Sequence, residues 1–186
     1  MAIIMIIIGL ILNFTSMFMA IDEDKRCWPV AIVSMIATAV GSYYLKDYPD
    51  LYMQVPLLII SIYGWWRWSH LMLDGSILQI SHETDKETGI HTIAGIVLFT
   101  IAYILLLLYT NMPYVTGYAL AIAYGILSQY VMAEKKVECW IYLGIASIVV
   151  VILSLIRDEI PMAIISVIVA GISVKGFYTW KRRRGL

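Results

Sequence analysis

Hydrophobic residues run through this chain in long, unbroken stretches that are separated by short groups of charged residues, proline or asparagine. The hydrocarbon core of a bilayer is about 30 Å thick, so a helix needs about 17–25 apolar residues to cross it. Seven stretches have that length: 2–21, 28–45, 51–68, 92–109, 114–132, 139–156 and 161–180. Strands of an outer-membrane barrel would instead alternate apolar and polar positions. The pattern therefore predicts an all-α membrane protein with seven transmembrane helices.

Composition supports this prediction. Of the 186 residues, 61% are hydrophobic and 14% are charged, whereas soluble domains average about 45–50% apolar and about 25% charged residues. The 13 basic residues balance the 13 acidic ones, which argues against a nucleic-acid-binding protein with its basic surface. Cys27 and Cys139 belong to neither a paired-cysteine motif nor a metal-ligand cluster. We expect no metal, no cofactor and no nucleic-acid partner.

Seven spans place the loops and termini alternately on the two sides of the membrane, and the lysine and arginine residues are unevenly divided between these sides. Those on the side of the C-terminus are Lys25, Arg26, Arg67, Lys86, Lys135, Lys136, Lys175, Lys181, Arg182, Arg183 and Arg184. The other side has Lys46 and Arg157. Because cytoplasmic loops carry the excess of basic residues, we expect a cytoplasmic C-terminus and an external N-terminus.

An internal repeat relates the two halves of the chain, and its pairs lie 112 residues apart. The pairs least expected by chance consist of the less frequent residue types of this apolar chain. They are Cys27/Cys139, Trp28/Trp140, Pro49/Pro161, Gly64/Gly176 and Trp68/Trp180. The predicted organisation is a three-helix repeat at 1–68, a polar loop and linking helix at 69–110, a second repeat at 111–180 and a basic tail at 181–186. Parallel repeats of this kind occur in transporters, so we expect a binding site between the halves.

Polar side chains within the spans are candidates for that site, because at membrane depth they are costly unless they face the bundle interior or a cavity. Most are serine and threonine, which we interpret as small residues between packed helices. Asn13 and Gln54 differ, since an amide offers donors and acceptors that one partner rarely satisfies. The middle third of every span lacks charged residues, which favours uncoupled facilitated diffusion of a neutral or charge-delocalised substrate.

The third span ends in a cluster of aromatic residues, Tyr63-Gly64-Trp65-Trp66-Arg67-Trp68. Trp65 and Trp68 are three residues apart and share a helix face. Two interpretations fit them: an interfacial belt that anchors the helix in the membrane, or a wall on which a flat ring stacks. The sequence has no catalytic motif such as G-x-S-x-G, a P-loop or H-E-x-x-H, so we predict no enzymatic activity.

Several of these residues together resemble a known family. They are Cys27-Trp28-Pro29, Gln54, Tyr63-Gly64-Trp65 with Trp68, Glu138 and Trp140 after Lys135-Lys136, and Gly176 with Trp180. In this arrangement the chain resembles the PnuC-type transporters of vitamin precursors, whose best-known members carry nicotinamide riboside. The resemblance extends from the first span to the C-terminus.

The resemblance implies a fold of three plus one plus three helices, similar to that of SWEET transporters, in a bacterial inner membrane. It implies facilitated diffusion of nicotinamide riboside, trapping of the substrate by a cytoplasmic kinase, and a homotrimer. By position, Trp65 and Trp68 would wall the binding site, and Gln54 and Asn13 would hydrogen-bond the substrate. Contacts from the second half would come from Trp140 and Ser147. In the family the aromatic residue of this helix is followed a turn or two later by an amide or acid, whereas this chain departs from that pattern with Gly144, Ala146 and Ser147, of which only Ser147 offers a hydrogen bond.

Three alternatives remain open at this point. The same fold could carry thiamine or riboflavin, which have been assigned to similar proteins. A SWEET-like sugar facilitator would need a site richer in amides and poorer in rings. A membrane scaffold without a substrate would require neighbouring helices to satisfy Asn13 and Gln54.

Overall fold

The computed structural model of this chain describes residues 1–70, 75–111 and 113–184, apart from the side chains of residues 48 and 49. These residues form seven α-helices: α1 (Ala2–Ile21), α2 (Cys27–Leu45), α3 (Tyr48–Ser69), α4 (Asp85–Tyr109), α5 (Val115–Ala133), α6 (Cys139–Ile156) and α7 (Ile160–Arg183). All of them except α3 are long and apolar enough to cross a membrane. The helix α3 is less apolar because it carries Asp50, Gln54 and Arg67 among its aromatic residues.

The predicted helices all form, and the largest correction is at the start of α4. This helix begins at Asp85 rather than at residue 92, because Thr84 and Glu87 make a reciprocal capping box. Such a cap satisfies the free N–H groups of the first turn, so a helix can extend well beyond its apolar segment. Likewise, α3 begins at Tyr48, after an Asp47 side chain that accepts from the Asp50 N–H, and α7 continues to Arg183.

The chain divides into two compact units, Met1–Gln79 and Ile80–Leu186. In the first unit, α2 packs against both α1 and α3. Its contact with α1 is close, because Gly9 and Gly41 leave no room for a Cβ atom. The hydroxyl of Ser34 donates to the carbonyl of Gly9 over 2.7 Å. Small residues thus hold these two helices together, as the interpretation of the serines in α2 predicts.

In the second unit, α4, α5, α6 and α7 pack one on the next in chain order. A small core of Ala102, Leu106 and Ala119 joins α4 to α5. The segment before α4 pairs with the turn between α5 and α6 through an isolated bridge between Ser81 and Lys136. The helix α4 therefore lies within the same unit as α5, α6 and α7.

The two units share their turn geometry. Glu23 after α1 and Lys135 after α5 both adopt left-handed backbone angles, with φ of 58° and 53°. Lys46 after α2 and Asp158 after α6 do the same, with φ of 59° and 56°. Each pair lies 112 residues apart, and the N–H groups around them bond in the same pattern. Left-handed residues at helix ends satisfy the last free carbonyls, so the helix ends are alike at corresponding positions.

Candidate functional site

Two tryptophans form the centre of the first unit. Trp28 is buried at the start of α2 and contacts Trp68 edge to face, with ring centroids 5.4 Å apart and an interplanar angle of 87°. The ring of Trp28 occupies the space beside Gly64, where a Cβ would lie 2.5 Å from it. The indole Nε1 of Trp28 is buried and has no hydrogen-bond partner among the described residues. A glycine is therefore required on α3 one turn before Trp68.

The second unit contains the same arrangement. Trp140 at the start of α6 contacts Trp180 edge to face, with centroids 5.3 Å apart and an angle of 87°. A Cβ at Gly176 would lie 2.5 Å from the Cε3 atom of Trp140. The indole Nε1 of Trp140 is also buried, and the part of the chain that the structure describes offers it no hydrogen-bond partner. The two clusters thus match in ring geometry, in the glycine beneath the ring and in the unpaired donor.

Gln54 belongs to a polar chain that links α2 to α3. Its side-chain Nε2 donates to Asp50 Oδ1 over 3.1 Å, and the hydroxyl of Ser42 donates to Asp50 Oδ2. All three residues are at least partly buried. Because Nε2 is the atom that Asp50 binds, the Gln54 carbonyl oxygen remains as an acceptor with no partner among the described residues. The sequence analysis missed Asp50, although its position four residues before Gln54 places the two on one helix face.

The structure gives the other first-half residues different surroundings. The half-buried amide of Asn13 has no hydrogen-bond partner among the residues that the structure describes. Trp65 is 48% exposed, whereas Trp68 is buried against Trp28. The two residues predicted to share a helix face therefore differ in burial: one ring is packed in the unit, and the other is accessible.

In the second half, the hydroxyl of Ser147 is buried and donates to the carbonyl of Leu143 over 2.7 Å. This bond to the preceding turn is the usual one for a helical serine. It uses the proton of the hydroxyl and leaves a lone pair for a further donor. Trp140 and Ser147 lie on the same helix, seven residues apart.

A cavity of about 270 Å³ lies between α4, α5 and α6. Among the described residues, its walls include none of the six predicted site residues. A network of hydrogen bonds centred on Glu83 borders it, through His91 and Tyr142. Sequence reasoning missed this cluster, because its members are 8 and 59 residues apart along the chain.

Comparisons with known proteins identify a family and a similar fold. Residues 3–182 match the family described as nicotinamide mononucleotide transporter. A crystal structure of the vitamin B3 transporter PnuC is similar, with a TM-score of 0.76 and 15% sequence identity over 96% of this chain and 80% of that chain. At this level of identity the similarity establishes the fold. No curated protein matches the chain.

Proposed function

This chain belongs to the nicotinamide mononucleotide transporter family, and from that premise we propose that it carries nicotinamide riboside across the bacterial inner membrane by facilitated diffusion. The observation that carries the proposal is the match over residues 3–182, nearly the whole chain. It confirms the family predicted from the sequence. It also makes the chain a multi-pass membrane transporter and not an enzyme.

We propose seven spans in an arrangement of three plus one plus three helices, with α3 crossing the membrane. At about 1.5 Å per residue, the 22 residues of α3 extend about 33 Å, which exceeds the hydrocarbon thickness of about 30 Å. The matching turns and tryptophan clusters at 112-residue spacing support a duplication. Seven spans place the basic C-terminal residues in the cytoplasm and the N-terminus outside.

The proposed substrate contacts are the six residues that the sequence analysis selected. Two of them offer amide groups: Gln54, whose carbonyl oxygen has no partner in the described residues, and Asn13, which has none there for either amide atom. An amide or hydroxyl of the substrate satisfies such groups well, since an unpaired polar group in an apolar environment costs about 1–3 kcal/mol. A scaffold would need neighbouring helices to satisfy both amides, and Asn13 argues against that alternative.

Aromatic residues supply the rest of the proposed site. Trp65 offers an accessible ring face on which a flat substrate stacks, and Ser147 offers an acceptor lone pair. Trp68 and Trp140 are buried, each within its own unit, so we propose that each supports the substrate contacts of its unit from behind. The indole N–H of Trp140 has no hydrogen-bond partner among the described residues, and we propose it as a donor for the substrate.

Uptake into proteoliposomes that contain only this protein tests the proposal. Labelled nicotinamide riboside should enter saturably, stop at equal concentrations on the two sides and be unaffected by ionophores. Unlabelled thiamine, riboflavin and a sugar serve as competitors. If only thiamine or riboflavin inhibits the labelled uptake, the protein is a transporter of that vitamin with the same fold. If only the sugar inhibits it, the protein is a sugar facilitator. No entry of any compound would leave the scaffold interpretation.

The proposed orientation is tested separately. Single cysteines introduced at Arg184 and at Ala2, in a variant with both native cysteines replaced by serine, should react with a membrane-impermeant maleimide only from the cytoplasmic and the external side, respectively. The opposite labelling would overturn the topology.

Two further proposals need tests of their own. The mass of the purified protein in detergent, after subtraction of the bound detergent, tests the proposed homotrimer. Loss of substrate accumulation in cells that lack nucleoside kinase activity tests the proposed trapping by a cytoplasmic kinase.

A further inference from the structure

Asp50 lies in the first turn of α3, and both oxygens of its partly buried carboxylate have a partner. Oδ2 accepts from the hydroxyl of Ser42 on α2, a residue that is 1% exposed. Oδ1 accepts from Gln54 Nε2 over 3.1 Å. Within the described part of the chain, no lysine, arginine or histidine forms an ion pair with this carboxylate. Asp50 is therefore held between two uncharged side chains, one on each helix.

The nitrogen of the Gln54 amide is directed at Asp50. It lies 3.1 Å from Oδ1 of the carboxylate and 3.4 Å from the backbone carbonyl oxygen of the same residue. The bond to the carboxylate is the stronger one, since it is shorter and its acceptor is charged. Turning the amide over would bring its carbonyl oxygen against a carboxylate oxygen, and neither of these atoms can donate. The carboxylate therefore selects the orientation in which the amide oxygen points away from it.

Helix packing alone does not explain this polar chain. The corresponding residues of the second unit are Ser154, Met162 and Ser166. That unit keeps the serine but has neither the carboxylate nor the amide, and yet α6 packs against α7 as α2 packs against α3. The helix pair can thus form without the bond between Asp50 and Gln54. A role beyond packing is the better explanation of that bond.

We propose that Asp50 is a positioning residue for transport, which holds the Gln54 amide so that its carbonyl oxygen is presented to the substrate. This inference rests on the proposed function, in which Gln54 contacts the substrate. The substrate group that binds this oxygen is a hydroxyl or an N–H, because a carbonyl oxygen can only accept. Without Asp50 the amide adopts both orientations, and only the fraction in the correct one binds. Asp50 therefore acts on affinity, and it acts through Gln54.

A double-mutant cycle in the nicotinamide riboside uptake assay separates positioning from direct contact. Asp50→Ala should raise the concentration for half-maximal uptake about three- to tenfold, up to the loss of the whole Gln54 hydrogen bond, with little change in the maximal rate. In a chain that carries Gln54→Ala, the further change Asp50→Ala should have no effect, because the residue that it positions is gone. Effects that multiply would give Asp50 its own contact and overturn the proposal. A native value in Asp50→Ala would also overturn it.

Asp47→Asn is the matched control for the charge. Asp47 is an exposed residue that precedes α3, and its side chain accepts from the Asp50 N–H over 3.3 Å. Asparagine caps a helix as well as aspartate does, so this variant removes a negative charge from the same end of the helix and keeps the cap. It should transport as the native chain does. A loss equal to that of Asp50→Ala would assign the effect to charge and overturn the proposal.

Nuclear magnetic resonance of the glutamine side chains gives a measurement that does not depend on transport. The chain has three glutamines, Gln54, Gln79 and Gln129, so selective ¹⁵N labelling in lipid nanodiscs gives few amide signals, and Gln54→Ala identifies one of them. Asp50→Ala should shift the Gln54 signal and leave the other two in place, which also shows that the fold is kept.

The two measurements distinguish the possible failures. Uptake by the native chain together with an unshifted Gln54 signal in Asp50→Ala would overturn the positioning role and leave the proposed function intact. No uptake by the native chain would overturn the proposed function, and the transport role of Asp50 with it.

Discussion

The two tryptophan clusters of this protein are nearly identical in geometry. Trp28 and Trp68 have ring centroids 5.4 Å apart, Trp140 and Trp180 have centroids 5.3 Å apart, and both pairs are inclined by 87°. Each pair has a glycine beneath the first ring. Packing at these positions has therefore been kept in both halves of the chain.

The polar residues around the clusters differ. Asp50 and Gln54 on α3 are hydrogen-bonded to each other, whereas the residues 112 positions later on α7 are Met162 and Ser166. Asn13 on α1 corresponds to Gly125 on α5. The two amides proposed as substrate contacts, Gln54 and Asn13, thus have no amide at the corresponding positions of the second half. The comparison teaches that the two units share their tryptophan packing and differ in the polar side chains beside it, so the proposed recognition chemistry can be tested separately from the packing.

The shared packing predicts the largest effect on stability. Gly64→Ala and Gly176→Ala should each lower the free energy of unfolding by about 1–3 kcal/mol, because the added Cβ would lie 2.5 Å from the ring of Trp28 or Trp140. The measurement is the apparent melting temperature of the purified protein in detergent. Gly171→Ala is the control, since nothing lies within 4 Å of its Cβ position.

Helical alanine is favoured over glycine by about 0.5–1 kcal/mol, so the control should be neutral or slightly stabilising. If only one of the two packed glycines is sensitive, the clusters are not energetically equivalent. If neither variant has a lower melting temperature, the helices move far enough apart to make room for the added Cβ beside the tryptophan.

The difference in polar residues predicts an effect on transport. Gln54→Ala should raise the substrate concentration for half-maximal uptake about tenfold, as expected for the loss of one hydrogen bond in an apolar site. The corresponding change in the second half, Ser166→Ala, should alter it less than twofold. Initial rates of nicotinamide riboside uptake into proteoliposomes, at equal amounts of inserted protein, measure both. Equal effects of the two changes would show that recognition is shared between the halves.

Sequence patterns predicted much of the fold, because the spans depend on continuous apolar runs that are local features. The start of α4 at Asp85 was missed because a capping box, and not hydropathy, extends that helix. The glycine beneath Trp28 could be anticipated from its repeat in the second half. Asp50 was placed outside its span, although its bond to Gln54 lies within one helix turn.

The Glu83 cluster could not be predicted for a different physical reason. Glu83 and Tyr142 are 59 residues apart, and nothing in local spacing reveals that two such residues meet. Contacts of this kind depend on how the segment before α4 packs against α6, which is a tertiary property.

The smallest effects are expected at the turns after α1 and α5, where backbone geometry matches and charges do not. The position of Arg26 in the first turn is taken by Glu138 in the second. Arg26 contacts only its neighbour Asp24 among the described residues, with a side chain that is 78% exposed. The hydrogen bond from Arg26 lowers the pKa of Asp24, but exposed ion pairs contribute little to stability. Arg26→Ala should leave the melting temperature unchanged.

Glu138 has partners from another part of the second unit. Its carboxylate accepts from the Glu83 N–H over 3.0 Å and lies 2.6 Å from His82 Nδ1, and its side chain is 21% exposed. Glu138→Ala should therefore lower the free energy of unfolding by about 1 kcal/mol, because a partly buried backbone N–H loses its acceptor. Thermal unfolding of both variants in the same detergent measures the difference. If Arg26→Ala is the more destabilising variant, the local ion pair of Arg26 with Asp24 stabilises the turn after α1. The proposed difference in stabilisation between the two turns would then be wrong.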